Sequence, residues 1–293
     1  MIKIKNLTYK YKNHIAIDDL SLEINKGMIG LLGENGAGKT TLMKLMVTLQ
    51  SIQQGEIIIN DIEIKNKNYH KIRKIVGFMP QEFGFYGSFT VYEMLEYICL
   101  LENMKKKDID GKIKELLEEL SLTRQMYRKT KELSGGMKRR LGLACAMINE
   151  PEILIVDEPT VGLDPEERIK MRNLIKRYSV GRTVILSTHI VEDIKSICDE
   201  VIVLSKGKLL YSGNINDLIE SSPDVYEVEC KVEDIDNFRE YGTITDINHN
   251  HDSCTIKVVT TNPNFKYIKK VDKTLETAYM YLLKREMVSS SYE

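Results

Sequence analysis

Cysteine is scarce in this 293-residue chain: Cys99, Cys145, Cys198, Cys230 and Cys254 are all there is, and no two form a C-x-x-C pair. An odd, scattered set of this kind excludes a disulfide framework and a zinc site, leaving reduced thiols that act as small apolar core residues. An excess of one charge is also missing. Lys and Arg number 42 against 43 Asp and Glu, the two signs are interspersed, and the net charge is −1. That balance lacks the basic footprint of a nucleic-acid binder, so no nucleic-acid partner is expected. No apolar run approaches the ~20 residues needed to span a bilayer. The start, Met1-Ile2-Lys3-Ile4-Lys5, alternates like a strand and lacks the apolar segment of a signal peptide. The chain therefore reads as soluble and cytoplasmic, and any membrane spans would come from another polypeptide.

What is present is more telling. Residues 33–40 read Gly-Glu-Asn-Gly-Ala-Gly-Lys-Thr and fit G-x-x-x-x-G-K-[ST], whose backbone amides wrap the phosphates of a nucleoside triphosphate. A match is expected by chance in a chain of this length only on the order of 1% of the time. Met28 to Leu32 reads as a buried strand before the motif and Thr41 to Val47 as a helix after it, the setting this loop requires.

Periodicity organises the rest. Strands are expected at Ile2–Tyr9, at Ile57–Ile59, and over 72–79. From about Thr90 to Asn149 the period becomes helical, with Ile113, Leu116, Leu117 and Leu120 at i, i+3, i+4, i+7. Apolar runs return at 153–156, 183–186 and 201–204. Strands apolar throughout that alternate with helices indicate an α/β fold with a mostly parallel sheet covered on both faces. Past Ser221-Ser222-Pro223 the texture changes: alternation at Tyr226, Val228, Cys230 and Val232, strand signals at 243–247 and 254–259, and a helix at 274–285. Two units are expected, a main domain over 1–222 with a helical subdomain at about 82–150, and a small α+β domain over 223–293. The tail Ser289-Ser290-Ser291 is expected to fray.

Phosphoryl chemistry needs a cradle, a metal and a group that orients water. Lys39 is expected to reach the β- and γ-phosphates. Gly33 and the amides of Asn35, Gly36, Ala37, Gly38, Lys39, Thr40 and Thr41 cradle phosphate oxygens at a helix N-terminus, and the Thr40 hydroxyl is placed for Mg²⁺. The run Ile153-Leu154-Ile155-Val156-Asp157-Glu158-Pro159 is an apolar strand ending in two acids. Asp157 suits a Mg²⁺ ligand, and Glu158, turned away by strand alternation, suits a general base. Read alone, the pair also fits two solvated strand-end acids. Leu133-Ser134-Gly135-Gly136-Met137 precedes a helix, either as an ordinary N-cap or as a second anion site.

The order of these elements decides between the readings. Phosphate loop, Gln81 after a strand, L-S-G-G, hydrophobic-D-E, Gly162-Leu163-Asp164 and a lone His189 occur in succession, and over about residues 1–218 the chain resembles the ATP-binding cassette family. The resemblance implies a P-loop NTPase fold with an added antiparallel β subdomain, ATP and Mg²⁺ as cofactors, and ATPase activity. It also implies head-to-tail pairing with a second cassette, a homodimer fitting the intact Glu158 and His189. Tyr11 would stack on adenine, in preference to Tyr9 on the same strand face. Gln81 would contact Mg²⁺ and the attacking water, and His189 the γ-phosphate. Ser134, Gly135 and Gly136 would act in trans on ATP held by the partner, with Asp164 at the seam. Met137 departs from the family's frequent glutamine. Gln81-Glu-Phe-Gly-Phe-Tyr, Thr90-Val91-Tyr92-Glu93 and Thr274 to Tyr279 resemble bacterial-type exporters whose ATPase is a separate chain. That resemblance implies transmembrane permease partners and a position at the inner face of the membrane. Phe83, Phe85 and Tyr86 fit either an exposed docking groove or burial in the helical subdomain. A soluble cassette ATPase acting on the ribosome or nucleic acid is the alternative, and a non-hydrolysing sensor is disfavoured by Glu158.

Overall fold

The computed structural model describes residues 1–250 and 253–290. The chain opens with β1 (Ile2–Tyr11), β2 (His14–Ile24), β3 (Gly27–Leu32) and α1 (Lys39–Met46), then β4 (Gln54–Ile59), β5 (Ile62–Glu63), α2 (Tyr69–Ile75) and β6 (Val76–Met79). A helical stretch follows: α3 (Val91–Leu101), α4 (Lys106–Glu119) and α5 (Gly135–Met147). Alternation resumes with β7 (Ile153–Asp157), α6 (Pro165–Tyr178), β8 (Thr183–Thr188), α7 (Val191–Ile197), β9 (Glu200–Ser205), β10 (Lys208–Asn214) and α8 (Ile215–Ser221). The C-terminal stretch holds β11 (Asp224–Cys230), β12 (Thr243–Asn250), β13 (Ser253–Thr260), β14 (Lys269–Val271) and α9 (Leu275–Ser290).

A six-stranded sheet in the order β10-β9-β3-β8-β7-β6 forms the centre, parallel except for β10. Its inner strands β3, β7, β8 and β9 are buried almost throughout because each face has its own core, whereas β10 at the edge is partly exposed. Ile29, Leu31, Ile153, Ile155, Ile185, Ile202 and Leu204 point into a core shared with α1 and the antiparallel β2-β1-β4-β5 sheet. Their neighbours Met28, Leu154, Val156, Val184, Leu186, Val201 and Val203 point the other way, into a core shared with α3 to α7. The period-two geometry of a strand makes this division automatic. The α/β fold with a parallel sheet, an inserted helical block and antiparallel sheets is as expected.

Details differ. Only Val76–Met79 of the expected 72–79 strand is extended; Tyr69–Ile75 is helical. Tyr69, Ile72 and Val76 recur at helical spacing, and Arg73 Nε donates to Thr48 Oγ1 at 2.8 Å, which fixes the turn. β11 stops at Cys230, so Val232 is exposed at the start of a 3₁₀ segment and does not continue the alternation. α9 runs on through Ser289 and Ser290, while position 291 of the expected frayed tail lies outside the described residues. Scattered in sequence, Cys230 and Cys254 nonetheless face each other across β11 and β13 with sulfurs 3.3 Å apart. α9 does not belong to the small sheet's core: Leu275, Ala278, Tyr279 and Leu283 are buried in the main one.

One close approach seats α7 on the sheet. A Cβ on Gly30 of β3 would lie 2.8 Å from Ile194 of α7, and Ile194 is fully buried. Gly30→Ala forces this interface apart, with an expected cost of about 1–3 kcal/mol from overpacking. Urea unfolding measures it; an unchanged midpoint would mean that α7 is free to shift.

Candidate nucleotide site

Strand register brings the site together. Leu32, the last residue of β3, pairs with Thr188 of β8, and Asp157 of β7 pairs with Ser187. The residues just past these ends are therefore neighbours: the Gly33 loop, Glu158 and His189. Gln81 follows the end of β6, which pairs with β7.

The loop is built for close backbone approach. Gly38 has φ 104°, and a Cβ there would sit 2.5 Å from the Ala16 carbonyl. α1 begins at Lys39 with no side chain capping it and no acid in its first turn. Its first amides and its dipole are left for an anion. The buried Lys39 ammonium donates to the carbonyls of Gly33 at 2.5 Å and Glu34 at 3.0 Å. Burial holds its pKa below the ordinary lysine value, against the opposing charges of Glu158, Asp157 and Glu34.

Opposite the lysine sit the acids. Thr40 Oγ1 donates to Asp157 Oδ2 at 3.3 Å. Burial raises the pKa of Asp157, and the neighbouring hydroxyls of Ser187 and Thr40 pull it back. Glu158 lies beyond the strand in the left-handed region, φ 51°, with its amide donating to the Ser187 carbonyl at 3.0 Å. Backbone conformation as well as strand alternation thus turns it from Asp157. Its Oε1 meets His189 Nδ1 at 3.0 Å. The His189 side chain is 48% exposed. Buried oxygens Asp157 Oδ1 and Glu158 Oε2 have no hydrogen-bond partner. A hydroxyl beside two oxygen-rich, partly unsatisfied carboxylates is a donor set that fits a hard divalent cation.

Lys39, Thr40 and Glu158 line a cleft of about 230 Å³ with Tyr11, His14, Gln81 and the other loop residues of 34–41. Asp157 and His189 are not on its wall; they reach it through Thr40 and Glu158. The two tyrosines separate by burial. Tyr9 is a core residue whose hydroxyl donates to Gln50 Oε1 at 2.8 Å, whereas Tyr11 is 39% exposed at the cleft, edge-on to Tyr9. Ser134, Gly135, Gly136 and Asp164 do not line it. Ser134 caps α5, accepting from the Met137 amide, and Asp164 caps α6. The two helix starts are joined by Arg140 to Glu167 at 2.8 Å, and Gly136 leaves room for the Glu167 carboxylate, 2.7 Å from where a Cβ would be. Phe83 packs on Gly142 and stacks on Phe85, while Tyr86 is 52% exposed. The aromatic run is thus split between the two readings.

The family model for the ABC transporter matches residues 17–161. The Nod factor export ATP-binding protein I of Cupriavidus metallidurans is 33% identical over 237 residues, covering 80% of this chain and 76% of that protein. The chain belongs to the ABC transporter ATP-binding family. The methionine import ATP-binding protein MetN 2 of Bacillus cereus is 35% identical over 229 residues, 74% of this chain and 67% of that one. Among solved structures, the dimeric bacterial ABC transporter cassette MJ0796 is similar with a TM-score of 0.67 at 28% identity, covering 73% of this chain and 98% of its own. The same protein in a post-hydrolysis state bound to ADP and Pi gives 0.66 at 27% identity, with the same coverage of both chains. The cassette here is an ATPase of this family, and among its described residues no helix is long and apolar enough to cross a membrane.

Some of the cassette's functional geometry had no sequence signal. Arg139, inside a Lys-Arg-Arg run that reads as a solvated face, donates to the carbonyls of Gln81 at 3.3 Å and Val161 at 3.0 Å and lies over the Phe83 ring. It holds the glutamine loop against the loop that follows Glu158. Asp193 is fully buried; it accepts from Thr160 Oγ1 and pairs with Arg172 at 3.4 Å, tying that same loop to α7.

A depressed lysine pKa means that the unfolded cassette binds more protons than the folded one between the folded value of Lys39 and 10.5. The contribution of this group to stability therefore rises with pH through that window. Lys39→Met removes the rise. Urea unfolding from about pH 7 to about pH 11 should find the wild type gaining on the variant as pH increases; a flat difference contradicts a buried, charged Lys39.

Proposed function

We propose that this cassette, residues 1–222 with an accessory segment at 223–293, hydrolyses ATP as half of a head-to-tail dimer and drives export through separate membrane subunits. The observation that carries the reading is Glu158: a buried carboxylate with one oxygen on His189 at 3.0 Å and the other unpaired, in the cleft that holds Lys39. A carboxylate so placed accepts the proton of an attacking water. Oxygen then bonds to the γ-phosphorus, the bond to the bridging oxygen breaks, and ADP departs with that electron pair. Lys39 and the amides from Asn35 to Thr41 hold the phosphates; Tyr11 stacks on adenine; His189 hydrogen-bonds the γ-phosphate. Thr40, Asp157 and Gln81 would hold Mg²⁺, which when bound neutralises phosphate charge.

Ser134, Gly135 and Gly136 lie away from the cleft of their own chain. The exposure of Ser134 and Gly135 at the α5 N-terminus, with Gly136 buried just behind them, supports action on ATP bound by a partner cassette, with Asp164 at the seam, and the solved relatives are dimers. Docking of a permease at the inner face of the membrane is supported by the exposed Tyr86 beside Phe89 and Tyr97. Export is the direction of the Nod factor relative, which aligns over 80% of this chain against 74% for the methionine importer.

Glu158→Gln keeps the shape and removes the base. Phosphate release is expected to fall by about 10²–10⁴-fold, ATP to stay bound, and dimer to accumulate by light scattering. Isolation of the tagged variant with ATP from gently solubilised membranes should recover a multi-spanning subunit. Ribosomal or DNA-bound partners without a membrane protein would overturn the transporter reading, and rapid turnover without dimer would overturn the base.

A further inference from the structure

α7 starts two residues after His189 and is gripped on two sides. On one, Ile194 fills the gap over Gly30 of β3. On the other lies α9, whose Leu275, Ala278 and Tyr279 share a core with Ile194 and Ile197. Leu275 is completely buried although it is the first residue of its helix. A cleft of about 360 Å³ runs between them, with His189, Ile190 and Val191 on one wall and Thr274, Leu275 and Glu276 on the other.

The start of α9 is itself fixed. Thr274 and Thr277 cap reciprocally, amide to hydroxyl, at 2.9 and 3.2 Å. Lys273 ties the approach to α8 through the carbonyls of Glu220, at 3.1 Å, and Ser222. Further along α9, Lys284 donates to the carbonyls of Arg239, at 3.1 Å, and Gly242, on the accessory sheet's side. α9 is thus a strut from the accessory sheet to the helix that follows His189.

We propose that Leu275 is a positioning residue for His189, so that residues 223–293 set the rate of hydrolysis without touching nucleotide. The inference rests on His189 contacting the γ-phosphate. Loss of the Leu275 side chain leaves α7 with one wall and lets the His189 loop drift, while the phosphate loop, anchored on β3, stays in place. A drift of this kind costs turnover and not affinity.

The test uses the full chain. Leu275→Ala is expected to lower kcat on the order of tenfold with KM and ATP affinity within about twofold. Leu275→Met, which conserves volume, should keep wild-type turnover. Hydrogen exchange should rise at 187–197 and not at 33–41. In a His189→Ala background, Leu275→Ala should lower single-turnover hydrolysis no further, because the two act through one group. Should the alanine variant melt below assay temperature, Leu275→Val carries the same comparison. An equal fall in both backgrounds, a rise in KM alone, or wild-type kcat in Leu275→Ala overturns the inference and leaves His189 untouched. Unchanged turnover in His189→Ala overturns the underlying reading instead.

Discussion

Burial of both faces of the central sheet constrains everything else in this cassette. With Ile155 in one core and Leu154 and Val156 in the other, β7 has no solvent face on which to carry a polar group. The same holds for β3, β8 and β9. Polar chemistry is confined to the sheet edges, and parallel strands in register deliver their C-terminal ends to the same edge. Leu32, Asp157 and Thr188 end together there. The cleft is a consequence of how the hydrophobic layers close.

That edge is electrostatically expensive and nearly balanced. A buried ammonium lies near two buried carboxylates; burial works against the charged forms of Lys39 and Asp157, and their opposite charges work for them. Lys39 spends its protons on backbone carbonyls, while Asp157 Oδ1 and Glu158 Oε2 have no partner. A triphosphate and a divalent cation bring the complementary charges, and the surplus cost of the bare site becomes binding energy. The Asp193–Arg172 pair behind α7 is the opposite case, since its members satisfy each other and Thr160 and serve to hold loops in place.

The fold was legible wherever its signal was local. Runs such as Ile153–Val156 announce two-sided strands, and the glycine pattern of 33–40 specifies a loop whose spacing is fixed by phosphate geometry. Ile72–Ile75 runs straight into the extended Val76–Met79, which makes one continuous strand signal; yet Ile72 and Ile75, three apart, share a helix face, and the hydrogen bond from Arg73 to Thr48 accompanies the helix. Arg139 and Asp193 left no trace because their partners, Gln81 and Val161, Arg172 and Thr160, are distant in sequence or indistinguishable from surface charges.

By itself the sequence determined the family, the layered α/β plan, and which residues have the chemistry for a phosphate cleft. These follow from spacing along one strand, loop or helix, which the covalent chain enforces. Only the tertiary structure decided which tyrosine faces the cleft, which oxygens are left unpaired, and where the C-terminal helix docks. Tyr9 and Tyr11 share a strand face and differ only in what packs over them. α9, continuous with the small C-terminal sheet, buries Leu275 against α7 because the apolar surface it covers belongs to the main core. Burial of that kind depends on long-range packing, and no local pattern encodes it.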